Sequence, residues 1–265
     1  MLLQLHEWGD ASAPPVVCVH GINAHGRRFR RLAEERLATR FRVLAPDLRG
    51  HGSSEWEPPW TIATHVHDLL ETLDDAGVRK ADWIGHSFGG RLVLELAALA
   101  PERIDRAVLL DPAIQLLPHV GFDFAERERR DRAYDSPEEP IVERLDAGAP
   151  TPREYLEEEN REHLVQHRDG RFRFRYCPSA VISMYGELCT PAPPPETLRV
   201  PTLLVHAGDF GLVREEQLDA YGRALGDGLE VVEVVGRHIV YWDAYEETAA
   251  AVEKFLWRHG HVSHA

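Results

Sequence analysis

The first half of the chain alternates short apolar runs with longer stretches of helical period. Val16 to His20, Arg42 to Pro46, Ala81 to Gly85 and Ala107 to Asp111 are nearly continuous apolar runs. Such runs predict strands covered on both faces, because a strand exposed on one face alternates apolar with polar residues. Leu2 to Trp8 does alternate and predicts a half-exposed edge strand. Between the runs, Arg28 to Thr39, Ile62 to Ala76 and Gly89 to Ala100 carry apolar residues three and four apart, with Thr61 as a helix start and Pro101 as a stop. These segments predict crossover helices, and strands joined in this way form a mostly parallel sheet flanked by helices. The alternation breaks after Asp111 and resumes with Thr202 to His206 and Leu229 to Val235, followed by a last helix from about Tyr245 to Trp257.

The interval from Ile114 to Val200 differs in kind. It is dense in charge at Glu126 to Arg132 and Glu157 to Glu162, and it ends in the proline-rich Pro191 to Pro195. It predicts a helical cap over residues 114–200, inserted into a core made of residues 1–113 and 201–265. The charge clusters themselves read as solvated helix faces.

Composition narrows the function classes. At 265 residues with 43% hydrophobic content, the chain suffices for one large α/β domain carrying an insertion. Lys and Arg total 30 against 44 for Asp and Glu, a net charge of -14 that repels phosphate backbones and anionic membranes. We therefore expect neither nucleic acid nor membrane as a partner. Met1 to Asp10 shows no basic segment leading into an apolar run, and no eighteen apolar residues stand together, as a membrane span requires. Cys18, Cys177 and Cys189 have no paired spacing, so we expect a cytoplasmic protein without a disulfide framework. His65 and His67 form an H-x-H, and His259, His261 and His264 form a His-rich tail, but no Cys or carboxylate spacing completes a ligand set. No metal and no cofactor are expected.

Candidate chemistry concentrates where runs end. Ala81 to Leu96 reads as strand, then Gly85-His86-Ser87-Phe88-Gly89-Gly90, then helix. A bare Gly-x-Ser-x-Gly is common, but in a strand-to-helix turn it forms an elbow that exposes a nucleophilic serine, with small neighbours that let the chain reverse sharply. The helix beginning at Phe88 aims its amino-terminal amides at that point, where they favour an oxyanion. Upstream, Val16 to His20 runs into Gly21-Ile22-Asn23, a turn suited to present the Ile22 amide to the same oxyanion. Ile22 and Phe88 would supply the two donors that acyl transfer needs. His20 reads as a residue that holds this loop rather than as a catalyst.

Taken together, His20-Gly21, Asp47-Leu48-Arg49-Gly50-His51-Gly52-Ser53-Ser54 and Gly85-His86-Ser87-Phe88-Gly89-Gly90 resemble the α/β-hydrolase family, over nearly the whole chain outside the cap. The resemblance implies a mostly parallel α/β-hydrolase sheet, with catalytic groups on loops at the strands' carboxyl ends and the cap inserted after strand 6. Only one strand fits before Val16, where the family often has two. By that likeness Ser87 is the nucleophile, Ile22 and Phe88 form the oxyanion hole, and the Asp47 to Ser54 loop is structural. The family places its base after the last strand, where this chain has Gly236-Arg237-His238. Two positions are open for the acid that orients His238. Many members carry it in a G-x-x-D turn six residues beyond a proline, but here Ala207 takes the glycine's place, the acid's slot falls on Phe210, and Asp209 comes one residue early. Others, some haloalkane dehalogenases among them, carry it after the sixth strand, where Asp111 in Leu110-Asp111-Pro112 fits without adjustment. Asp111 is preferred and Asp209 is the alternative.

The leading expectation is a serine hydrolase of the carboxylesterase type, acting through Ser87, His238 and Asp111 on a small-molecule acyl substrate. Esters, thioesters, lactones and C–C bonds next to a ketone all suit this chemistry. Trp56, Trp60, Tyr155, Tyr185 and Tyr241 are candidates to line an apolar acyl pocket. The competing classes are a non-hydrolytic enzyme on the same fold, such as a cofactor-free haloperoxidase, perhydrolase or lyase, and a catalytically silent binding protein.

Overall fold

The structure, a computed structural model, describes residues 1–258. β1 (Leu5–Trp8) leads to β2 (Pro15–Val19), a helical stretch over residues 26–37, and β3 (Arg42–Pro46). Helix Ile62–Asp75 precedes β4 (Ala81–His86), and helix Phe88–Leu99 precedes β5 (Ile104–Leu110). The insert follows, with helices Pro118–Glu128, Glu139–Asp146 and Arg153–His163, a hairpin of β6 (Leu164–Gln166) and β7 (Phe172–Phe174), and helix Pro178–Leu188. β8 (Thr202–Ala207), helix Glu215–Leu225, β9 (Leu229–Val234) and helix Tyr245–Arg258 complete the described chain. The main sheet has the order β1-β3-β2-β4-β5-β8-β9, and only β1 runs antiparallel to its neighbour.

Successive residues of the central strands serve opposite faces of this sheet. Val17, Val19, Trp83 and Leu109 pack with Leu69, Leu73, Leu92 and Leu96 of the helices on one side. Val16, Cys18, Ile84, Val108 and Leu110 pack with Phe29, Leu37, Val252 and Leu256 on the other. Both faces are covered, which is the physical reason the runs show no polar alternation. β1, at the edge, carries Glu7 outward and only partly buries its other residues.

Several elements differ from their expected form. The first strand begins at Leu5 rather than Leu2. The first helix is a 3-10 turn (Gly26–Phe29), one α turn (Arg30–Leu32) and a π turn (Ala33–Leu37), not a regular helix over residues 28–39. Because one strand precedes β2, the insert follows the fifth strand in this chain's own count. The insert is not purely helical: Asp169-Gly170 supplies a turn, with Gly170 at φ +83, that closes the β6–β7 hairpin. Helix Glu215–Leu225 lies between β8 and β9, where no element was expected; its buried Gln217 and Tyr221 stand four apart.

Two clusters tie the insert to the sheet. Arg91, on the helix after Ser87, is 1% exposed and donates to the Ile114 carbonyl at 2.8 Å and the Pro191 carbonyl at 2.8 Å, so it grips both ends of the insert. Glu159, on helix Arg153–His163, accepts from Arg28 Nε at 2.9 Å and pairs with His25 Nε2 at 2.8 Å. Burial alone would raise the Glu159 carboxyl, but the Arg28 and His25 charges outweigh it and hold it well below the usual range. Glu159→Ala is expected to destabilise the fold by about 3–5 kcal/mol, because it strands a buried guanidinium. A thermal melt would show this as a fall on the order of 10 °C. A shift under about 2 °C would mean that the pair does not anchor the insert.

Candidate active site

The site assembles at the carboxyl ends of β2, β4, β5 and β9. Among the described residues only three non-glycine residues have positive φ: Asn23 at 61°, Ser87 at 54° and Asp111 at 41°. Asn23 follows β2, Ser87 follows β4 and Asp111 follows β5. Each such residue costs of order 1–3 kcal/mol, a strain that folds keep where it positions a functional group. Ser87 is held at φ 54 and ψ -116 between strand and helix, with its amide donating to the Leu110 carbonyl at 3.1 Å and its carbonyl accepting from the Ala113 amide at 3.0 Å. Gly89 makes the turn possible, since a Cβ there would lie 2.1 Å from the Val19 carbonyl oxygen.

His238 Nε2 lies 2.8 Å from Ser87 Oγ, and His238 Nδ1 lies 2.6 Å from Asp111 Oδ2. Asp111 is fully buried; its other oxygen accepts from the Ala207 amide at 3.3 Å, and its own amide donates to the Val205 carbonyl at 2.6 Å. The His238 carbonyl in turn accepts from His86 Nε2 at 2.9 Å. Burial, and then the neighbouring His238, push the His86 pKa well below the ordinary histidine value. His86 is therefore neutral at physiological pH and spends its one proton on that carbonyl.

Asp209 is not part of this cluster. It lies exposed in the turn Gly208–Phe210, and its neighbour Phe210 stacks on the His238 ring with centroids 5.1 Å apart. His20 bridges the Gly21 carbonyl at 2.7 Å and the Leu48 amide at 2.9 Å, so it braces the loop after β2. Asp47 accepts from the Gly26 amide at 2.7 Å and the Ser53 amide at 2.8 Å, which makes its loop a brace as well.

The amide of Ile22 has no acceptor among the described residues, and Phe88, as first residue of its helix, has no acceptor within it. Gly21 brings this loop against the serine: a Cβ there would stand 2.8 Å from Ser87 Cβ and 3.3 Å from Ser87 Oγ. Gly21→Ala must therefore push the Ile22 amide away from Ser87. We expect turnover of a test ester to fall by roughly 10²–10³, as when one oxyanion donor is lost. Retention within about threefold would show that this loop does not act on the oxyanion.

A cavity of about 380 Å³ includes Ile22, His86 and His238 in its lining. None of the five aromatics expected there takes part, which corrects the apolar-pocket expectation. Tyr241 stacks on Phe29, Tyr155 packs against Trp242 and Tyr245, and Tyr185 stacks on Phe124. Trp60 donates to the Trp56 carbonyl at 3.1 Å, and Trp56 is exposed. The aromatic walls are instead Tyr134, Phe174 and Tyr176 from the insert, accompanied by Arg28, Arg132 and Arg144. The sequence signal for these residues was a charge-dense insert that reads as a helical cap with solvated faces, which does not single them out.

Among the described residues, His67, Asp68 and Glu71 have their donor atoms within 4.8 Å of one another, as a metal site would need. Both carboxylates are already engaged: Asp68 by Arg49 at 2.7 Å and Glu71 by the terminal ammonium at 2.5 Å. His65 is buried while His67 is exposed, so the H-x-H pair does not face one site. His259, His261 and His264 lie outside the described residues. No helix among the described residues is long and apolar enough to cross a membrane.

Comparison with known proteins agrees with this architecture. Residues 14–245 match the model of the alpha/beta hydrolase fold family. The chain is 32% identical over 261 residues to lipase LipV of Mycobacterium tuberculosis (strain ATCC 25618 / H37Rv), a match covering 97% of this chain and 99% of that one. It is 38% identical over 99 residues to esterase YbfF of Escherichia coli (strain K12), covering 37% of this chain and 39% of the esterase. The fold of E-2-(acetamidomethylene)succinate hydrolase superposes with a TM-score of 0.85 at 22% identity, covering 96% of this chain and 94% of that one. With a sheet of this order, a serine in the turn after β4 and a family match running from before β2 to the final helix, the chain is an enzyme of hydrolase type and belongs to the alpha/beta hydrolase fold family.

Proposed function

We propose that this protein is a serine hydrolase that cleaves a small carboxylic ester or related acyl bond. The observation that carries this reading is the unbroken hydrogen-bonded chain from Ser87 Oγ to His238 at 2.8 Å and on to Asp111 at 2.6 Å. In the first half-reaction Ser87 Oγ attacks the acyl carbon while its proton passes to His238 Nε2. The carbonyl oxygen becomes an oxyanion facing the Ile22 and Phe88 amides. Collapse expels the alcohol, which takes the proton from His238, and leaves an acyl-Ser87 ester. In the second half-reaction His238 deprotonates a water that attacks this ester, and the acid departs as Ser87 recovers its proton. Asp111 keeps the proton on Nδ1, so that Nε2 is free to accept, and it stabilises the imidazolium that forms.

Residues 114–200 act in this reading as a lid that shapes the acyl site. Tyr134, Phe174 and Tyr176 of the insert share the cavity lining with His238, which supports that role. The partner is a small-molecule acyl substrate, in keeping with relatives named lipase and esterase. Three free cysteines, Cys18, Cys177 and Cys189, suit a reducing cytoplasmic setting.

Labelling with a fluorophosphonate probe, followed by turnover of a panel of nitrophenyl esters, tests the reading. The wild type is expected to label and to cleave at least the short-chain esters, and Ser87→Ala to do neither. Labelling without ester turnover would move the protein to non-hydrolytic chemistry, and absence of labelling would make it a binding protein.

A further inference from the structure

The cavity beside His238 carries more charge than a neutral ester needs. Its lining contains three arginines, Arg28, Arg132 and Arg144, and two carboxylates, Glu143 and Glu159, with the buried Glu128 carboxylate just behind it on Arg132. Two of the arginines have carboxylates of their own. Arg28 pairs with Glu159 at 2.5 Å, and Arg132 pairs with Glu128 at 3.2 Å and lies 3.8 Å from Glu143. Arg144 forms no ion pair among the described residues, and its Nε is buried without a hydrogen-bond partner.

Arg144 is partly buried, and a guanidinium partly withdrawn from water without an ion-pair partner is unfavourable, a cost that a counter-charge bound in the cavity would offset. Asp243 and then Glu159 attract Arg144 electrostatically, but neither makes an ion-pair contact with it; Asp243 Oδ1 accepts from the Thr151 hydroxyl, while Oδ2 is buried without a hydrogen-bond partner. Burial, and then repulsion from Arg28, lower the Arg144 pKa from the ordinary arginine value. A bound anion would oppose both effects, since a negative charge beside the guanidinium favours its protonated form. Arg144 stands on helix Glu139–Asp146 of the insert, in the same cavity lining as Ile22 and His238. A volume of about 380 Å³ is at the small end of ligand sites, and His238, hydrogen-bonded to Ser87, stands in the same lining as Arg144.

We infer that Arg144 determines specificity by binding a carboxylate on the substrate, so that the preferred esters are anionic, such as monoesters of short dicarboxylic acids. The planar fork of a guanidinium suits a carboxylate in two-pronged fashion. The inference takes the Ser87 chemistry from the proposed function and adds to it the class of substrate.

Two measurements test it separately from that chemistry. In the first, binding of monomethyl glutarate to the Ser87→Ala variant is followed by calorimetry, with and without Arg144→Met. Dissociation constants are expected to rise roughly 10–100-fold when the guanidinium is removed, the scale of a charge-assisted contact. No binding, or a change under about threefold, would overturn the inference. In the second, kcat/KM is compared for mononitrophenyl glutarate and the neutral nitrophenyl valerate. Arg144→Met should lower the value for the anionic ester at least tenfold more than for the neutral one, chiefly through KM, with Arg144→Lys recovering part of the loss. An equal fall on both esters, together with a lower melting temperature, would mark Arg144 as merely structural and overturn the inference. Unchanged or raised thermal stability in Arg144→Met would support it, because an uncompensated cation has been removed. Should neither ester be cleaved while glutarate binding still depends on Arg144, the hydrolase reading fails and the anion site stands.

Discussion

Ser87→Ala is expected to lower turnover of a short nitrophenyl ester by roughly 10⁴–10⁶ while leaving the melting temperature nearly unchanged. The loss is large because, in the proposed mechanism, the residue's Oγ forms and breaks the acyl bond, and its hydrogen bond to His238 is the first link of the chain to Asp111. Stability hardly moves for a local reason. Alanine keeps the Cβ, so the strain of φ 54 persists, and the backbone bonds from Ser87 to Leu110 and Ala113 do not involve the side chain. Some rate above the uncatalysed reaction should survive, because the proposed oxyanion donors, the Ile22 and Phe88 amides, are left in place. A rate within about tenfold of wild type would remove Ser87 from the role of nucleophile.

The second large effect separates the two acids. Asp111→Asn is expected to lower turnover on the order of 10⁴, and Asp209→Asn to change it by less than about threefold. Asparagine has the size of aspartate and tolerates the left-handed backbone, so φ 41 at this position does not oppose the substitution. Its carbonyl oxygen can keep the bond from the Ala207 amide now made by Asp111 Oδ1. Its amide group would then face His238 Nδ1 and force that nitrogen to accept. The proton moves to Nε2, and His238 can no longer take one from Ser87. Asp209 lies exposed, and only its neighbour Phe210 touches the imidazole, by stacking. The opposite ranking of the two variants would assign the acid to Asp209.

Much of the architecture was legible in the pattern of residues. Nearly continuous apolar runs at Arg42 to Pro46 and Ala81 to Gly85 marked strands, because parallel strands covered on both faces have no polar side to display. The glycines around Ser87 marked a sharp turn, because close backbone approach such as Gly89 to Val19 leaves no room for a Cβ. These are local constraints, and a sequence records local constraints directly. Even the irregular helix over residues 26–37 kept its apolar spacing, though the weave of 3-10, α and π turns did not show.

What the sequence by itself determined, then, was the succession of the main-sheet strands, the turn that holds Ser87, and a histidine in the loop beyond the last strand, while helix Glu215–Leu225 and the β6–β7 hairpin escaped it. Only the tertiary structure decided which aspartate meets His238. Asp111 and Asp209 end neighbouring parallel strands, and the choice depends on the direction a side chain takes at φ 41, a quantity fixed by packing across the sheet. Only the tertiary structure decided the character of the cavity. The five aromatics singled out along the chain lie outside it, Tyr155, Tyr185 and Tyr241 in ring contacts and Trp56 exposed, while Arg132 and Arg144 from an insert that reads as solvated surface line it. In a charged helix each guanidinium looks alike along the chain. Whether one makes an ion pair with a carboxylate, as Arg28 does with Glu159, or makes none among the described residues, as Arg144 does, depends on distance in the folded chain and not on position along it.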